Sequence, residues 1–172
     1  MRKRVIGLLL FSFLLAASTC SATCEKTEAL FQIEHSKNRN AVHYEACLDG
    51  DGGLSDSEPV IAYWMLEDGS KEELNDIERG HAYGVVLRER QGRDKVRISI
   101  VGLRNREMTV EKIGRRYGAI IPIDGKECIL EKVYLKSHDL LFGLSVVEYM
   151  DFFGRAKEGG YPVSEHIDKA DL

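Results

Sequence analysis

Apolar and polar residues alternate through most of this chain with a period of two, the spacing that turns one face of an extended strand toward a core. Ala41–Leu48 shows it most cleanly: Val42, Tyr44, Ala46 and Leu48 fall on one side, and His43, Glu45 and Cys47 on the other. Leu30–Glu34 alternates well enough for a strand before it, and Val96, Ile98 and Ile100 repeat the spacing within Lys95–Val101. Val60–Leu66 is instead a continuous apolar run rich in β-branched and aromatic types, which predicts a strand covered on both faces at the centre of the core. Further strands are predicted over Tyr83–Arg90, Met108–Ile113, Tyr117–Ile123, Cys128–Leu135, Leu144–Phe153 and Tyr161–Ile167. Asp124-Gly125 is a tight hairpin dipeptide, and Gln91–Asp94, Ser137–Asp139 and Gly154–Gly160 read as turns.

One helix interrupts the strands. Ser70-Lys-Glu-Glu73 has the form of a capping box, Leu74 and Ile77 supply an apolar stripe, and Gly80 is a plausible stop. The pattern predicts a mostly β fold: a single-domain antiparallel β-sandwich with one short helix, or failing that a partly open barrel. The domain is expected over residues 29–168, between a short polar leader at 23–28 and a tail at 169–172.

The N-terminus carries an address. Arg2, Lys3 and Arg4 precede an uncharged run from Val5 to Ala17, followed by small residues. A run of 13 residues is shorter than a membrane-spanning helix needs, so residues 1–22 are expected to be a cleaved signal peptide. Export would place the protein in the periplasm or outside the cell. Cys20 and Cys24 stand where a lipid could be attached, although Thr precedes each and fits such a site poorly. Contact with a membrane is expected only through such a lipid.

Cys47 and Cys128 could bridge in an oxidising compartment, or be two small buried hydrophobes. With 24 Lys and Arg against 28 Asp and Glu, the chain has a formal charge of −4, and loss of the leader removes three more bases. An acidic product is a poor partner for nucleic acid. There is no P-loop and no G-x-G-x-x-G, so no cofactor is expected.

Candidate chemistry is thin. The loop His35-Ser36-Lys37-Asn38-Arg39-Asn40 offers an imidazole, a hydroxyl, two cations and two amides, which could hold a carboxylate, phosphate or sugar. Ser and Asn are also ordinary hairpin residues. Asp49–Asp56 fails as a calcium loop, since Gly53, Leu54 and Val60 occupy the positions that need a ligand, a Gly and a Glu. The five histidines lack metal-ligand spacing, and no metal is expected. Tyr63 and Trp64 are adjacent, so on a strand they face opposite ways. Glu78, Arg79 and His81–Gly84 leave the helix toward this region if the helix caps the Val60–Leu66 strand.

Several of these residues recur in a recognisable combination. Phe31, Ile33, Ser36, Asn38 and Asn40, then Pro59, Tyr63 and Trp64, then Glu78 and Ala82-Tyr83-Gly84 resemble a bacterial family known as domain of unknown function 4833. The resemblance extends from about Leu30 to Ile167, with Phe153–Arg155 and Gly160–Val163 fitting the family's ending. It implies a bacterial exported protein and implies no activity. It raises Ser36, Lys37, Asn38, Asn40, Trp64, Glu78 and Tyr83 above other polar and aromatic positions. With His35, these are the candidate ligand-binding residues.

Three readings follow. One is a non-enzymatic β-module of the bacterial envelope that binds a small ligand or an envelope protein. Another is a hydrolase or modifying enzyme with a polar site around His35, Ser36, Lys37 and Glu78. The third, a metal-binding protein, needs at least three acids or histidines to converge.

Overall fold

A computed structural model describes residues 24–139 and 145–171. The expected signal segment and Cys20 lie outside the described residues. Eleven strands and one helix follow one another as β1 (Lys26–His35), β2 (Ala41–Leu48), β3 (Val60–Met65), β4 (Lys71–Glu73), α1 (Asp76–His81), β5 (Val85–Arg90), β6 (Lys95–Ile100), β7 (Glu107–Ile113), β8 (Arg116–Ile123), β9 (Lys126–Asp139), β10 (Ser145–Ala156) and β11 (Pro162–Asp168). A 3-10 turn at Val101–Leu103 follows β6, and another at Lys169–Asp171 takes up most of the expected tail.

The strands form one curled sheet in the order β4-β3-β2-β1-β9-β8-β7-β6-β5, and β10 pairs with both β9 and β11. The long strand β9 organises it. Its first residues pair antiparallel with β8, from Ile129 opposite Ile120 to Lys126 opposite Ile123. Further on, Lys132–Leu135 pairs parallel with Gln32–His35 of β1. The sheet therefore divides along one edge of β9, while β10 follows the other edge from Cys128 to Asp139. The two wings curl toward each other into a half-barrel, the partly open form of the predicted β fold. Val42, Tyr44, Ile98, Val110, Ile121, Leu130 and Phe152 fill the space between them, fully buried. The alternation read in Ala41–Leu48 matches: Val42, Tyr44, Ala46 and Leu48 all lie in this core.

Asp124 and Gly125 both have positive φ, 51° and 71°, the geometry of the tight turn their sequence predicts. Gly154 in β10 has a different role: a Cβ there would press on the Ile129 carbonyl of β9, so only glycine lets the two strands pack this closely.

Several elements differ from expectation. Ser70 does not cap the helix. Its hydroxyl is held by the Asp68 carboxylate at 2.6 Å, and Lys71–Glu73 becomes an edge strand on β3. The helix starts at Asn75, where the same capping box forms five residues later: Asn75 Oδ1 accepts from the Glu78 N–H at 2.9 Å, and Glu78 Oε2 accepts from the Asn75 N–H at 3.0 Å. Ile77 is then 74% exposed and belongs to no core stripe. Strand β3 sits second from the edge of the sheet, not at its centre, with only the three-residue β4 beyond it. Ser137–Asp139 is no turn but the end of β9, held by β10. The polar residues 26–28 open β1, where the Glu28 carboxylate accepts from the Tyr117 N–H at 3.0 Å.

The cysteine pairing is also corrected. Cys47 bridges to Cys24, with Cα atoms 5.2 Å apart, and Cys128 is free and buried. The β1–β2 register explains it: Thr27 lies opposite Cys47, and the Glu25 N–H reaches the Leu48 carbonyl, which brings Cys24 beside β2. Cys47 is on the outward side of β2 while Cys128 packs in the core, so a Cys47–Cys128 bridge would have to pass through the sheet. With its sulfur in the bridge, Cys24 is not available for lipid attachment.

Candidate functional site

The site begins with register. Ile33 of β1 lies opposite Val42 of β2, and Val42 opposite Trp64 of β3. On the other flank, Ile33 and His35 lie beside Val133 and Leu135 of β9, and Leu135 opposite Met150 of β10. Period-two geometry places Ile33 and His35 on the same concave face. That row is the floor of the open end of the half-barrel.

A second wall comes from the chain after α1. The Gly102 N–H donates to the Ala82 carbonyl at 2.7 Å, and the Val101 N–H to the Gly84 carbonyl at 2.9 Å, joining the helix exit to the 3-10 turn. A Cβ on Gly102 would come within 2.9 Å of the Ala82 oxygen, so glycine permits this approach. The buried Tyr44 hydroxyl donates to the Tyr83 carbonyl at 2.9 Å and fixes the same segment from below.

Between floor and wall lies a cavity of about 390 Å3. Ile33, Ile100, Leu103, Leu135, Val147 and Met150 make its apolar surface, and His35, Lys37, His81 and Ser137 bring its polar groups. Tyr83 completes it, and Trp64 stands behind His35 and Tyr83. The Trp64 ring meets His35 edge-on with centroids 5.5 Å apart and Tyr83 edge-on at 5.2 Å. Edge-to-face pairs at these separations are favourable, so the three rings hold one another in place.

His35 is the unusual member. Its Nδ1 is buried without a hydrogen-bond partner. Burial pushes the imidazole below its ordinary pKa, and the nearby Lys37 charge pushes it further, both favouring the neutral ring. Burial likewise raises the Tyr83 phenol, with the Glu78 charge adding to it. No Asp or Glu stands among the described residues that line the cavity.

The sequence candidates divide. His35, Lys37 and Tyr83 line the cavity, and Trp64 backs it through ring contacts. Ser36 does not face a ligand: its hydroxyl is engaged by both backbone groups of Ser137. Asn38 Oδ1 accepts from the Asn40 N–H at 2.9 Å, and Asn40 Oδ1 accepts from the Glu67 N–H at 3.1 Å, so both shape the hairpin. The Glu78 carboxylate serves the helix cap. Tyr63 does face away from Trp64, its hydroxyl donating to Glu45 at 2.7 Å on the outer surface with Lys71 over its ring. Among the described residues no three His, Cys, Asp or Glu side chains are grouped to hold a metal ion. The periodicity did not single out His81, Ser137, Leu103, Val147 or Met150 as site residues. They come from four elements, α1, the 3-10 turn, β9 and β10, and only the expected exit of His81–Gly84 from the helix toward this region hinted at the place of His81.

Taken together, the fold defines a β half-barrel with a mostly apolar, base-lined cavity at its open end. The chain belongs to the family described as a domain of unknown function, DUF4833, whose model matches residues 31–166. No curated protein and no solved structure matches it.

Proposed function

We propose that the chain is exported to the bacterial envelope, and that its folded part is a non-enzymatic module taking a small, mostly apolar ligand at the open end of the half-barrel. The observation that carries this is the cavity itself: seven aliphatic or thioether side chains surround a space of about 390 Å3, with a few polar groups at fixed places. That is the usual make-up of a small-molecule site. Export is supported by the basic, apolar and small-residue sequence of the leader. The Cys24–Cys47 bridge agrees with it, since such bonds persist in oxidising compartments.

Two engagements weigh against the enzyme reading. A nucleophilic Ser36 would need a hydroxyl free to attack, and this one is bonded twice to backbone. A carboxylate base at Glu78 would need to reach the cavity, and it is held in the capping box. The test uses the neutral apolar fluorophore N-phenyl-1-naphthylamine and the mature chain. Saturable one-to-one binding is expected, lost in Val147→Phe, which fills the cavity, with the native circular dichroism retained. Equal binding to the folded Val147→Phe variant would sink the reading.

A further inference from the structure

We infer that the ligand is an unbranched hydrocarbon chain of about twelve carbons, lying across four strands and filling both the main cavity and a smaller one beside it. This deepens the proposed binding function and rests on it. The smaller cavity has a volume of about 140 Å3, and Arg104, Asn105, Phe152 and Ile167 are among the residues that line it. Gly102, Leu103 and Met150 border both cavities, so the two adjoin where the 3-10 turn meets β10.

Strand register gives the two cavities one floor. His35 of β1 lies opposite Leu135 of β9, Leu135 opposite Met150 of β10, and Met150 opposite Ile167 of β11. Residues directly opposite one another on neighbouring strands share a face of the sheet, so these four form a row running across it. His35, Leu135 and Met150 line the main cavity, and Met150 and Ile167 the smaller one. Leu135, Met150 and Ile167 make the row apolar over most of its length. Neighbouring strands lie about 4.8 Å apart, which makes the row about 14 Å long from His35 to Ile167. An extended chain of tetrahedral carbons advances about 1.25 Å per bond, so about eleven bonds span that distance. Met150 stands at the join, and its unbranched thioether can adapt to a chain that passes over it. A compact ring of the same carbon number could occupy the main cavity but could not reach Ile167 as well.

Displacement of N-phenyl-1-naphthylamine from the mature chain by 1-octanol, 1-decanol, 1-dodecanol and cyclododecanol tests this. Affinity is expected to rise about fourfold per methylene from eight to twelve carbons, as each CH2 leaves water for hydrocarbon. Cyclododecanol has the same carbon number as dodecanol closed into a ring, and it is expected to bind about tenfold or more weakly, since part of it stays in water. Ile167→Phe fills the smaller cavity from β11, and Asn105→Phe narrows it from its exposed rim. Either variant, once circular dichroism shows it folded, should bind octanol as wild type does and lose the gain from octanol to dodecanol. A gain that stops at octanol in wild type, a ring that binds as well as the chain, or a gain that survives in both folded variants would overturn the chain, while bound N-phenyl-1-naphthylamine would leave the main cavity standing as a site. No binding of N-phenyl-1-naphthylamine would overturn the proposed function and the chain with it.

Discussion

The hydroxyl of Ser36 bonds the backbone of Ser137 in both directions, donating to its carbonyl at 3.1 Å and accepting from its N–H at 3.2 Å. The two residues are 101 positions apart, and the clamp holds the end of β1 against β9 at the rim of the cavity. The Ser36 N–H continues the same seam by donating to the Leu135 carbonyl at 3.0 Å. A hydroxyl in this place is a structural pin. Ser36→Ala removes one donor and one acceptor and leaves a partly buried Ser137 peptide unpaired. It should cost about 1–3 kcal/mol in urea unfolding. N-phenyl-1-naphthylamine binding by the folded fraction should change little; complete loss of binding in a fully folded Ser36→Ala protein would give the hydroxyl a ligand role instead.

The disulfide ties the start of β1 to β2 across a separation of 23 residues. Cys24→Ser should lower stability by about 2–4 kcal/mol, the usual effect of removing such a link. Wild type should lose the same amount in reductant. Cys128 packs in the core, and burial raises its thiol above the ordinary value, so it should resist alkylation until the chain unfolds. Intact mass of chain cut after Ala22, and so without Cys20, should show one bridge and, after denaturation, one alkylatable thiol.

Arg106 and Glu165 form a two-pronged pair at 2.8 and 3.0 Å, and Glu165 also accepts from the Asp124 N–H at the hairpin. The Arg106 bond, and less so the Asp124 bond, hold the Glu165 carboxyl below its ordinary value of 4.5, against a smaller opposing push from burial. A depressed carboxylate adds stability above its unfolded pKa and loses it as pH falls through the lower folded value. Glu165→Gln should therefore cost about 2 kcal/mol at neutral pH. The difference from wild type should shrink as pH drops below 4.5 and vanish in strong acid. Thermal melts of both proteins from pH 7 to pH 2 check it, and a gap that stays constant with pH would contradict it.

Gly84 follows directly on the segment that walls the cavity. A Cβ there would overlap the carbonyl oxygen of Arg79 in α1, with backbone on both sides and no flexible side chain to yield. Gly84→Ala should push α1 outward, taking His81, Ala82 and Tyr83 with it. Ligand affinity should fall more than stability, and Trp64 emission should shift red as the Tyr83 edge leaves its ring. Trp64 is the chain's one tryptophan, which makes that emission a clean report.

Much of this protein was legible along the chain. Alternation at Ala41–Leu48 named a strand and its buried face, because a side chain's direction on a strand depends on parity alone. Asp124-Gly125 named its turn, since few residue pairs accept positive φ in succession. The capping-box signal at Ser70 failed because Asn75 and Glu78 offered the same pair of bonds, and pairing with β3 claimed Lys71–Glu73 first. Composition and the basic leader set the expectation of compartment before any fold was known.

The cavity and the bridge were decided elsewhere. Cys24 and Cys47 meet because antiparallel register sets which residue of β2 lies beside the start of β1, and one-residue shifts would have sent the sulfur to the other face. Ile33, Leu103, Leu135 and Met150 come from four separate segments and share a surface only because β9 pairs with β1 and β8 along one edge and bends the sheet between them. Local sequence dictates which way a side chain points. Which distant side chains it then faces depends on how strands pair across the whole chain, and no local pattern encodes that.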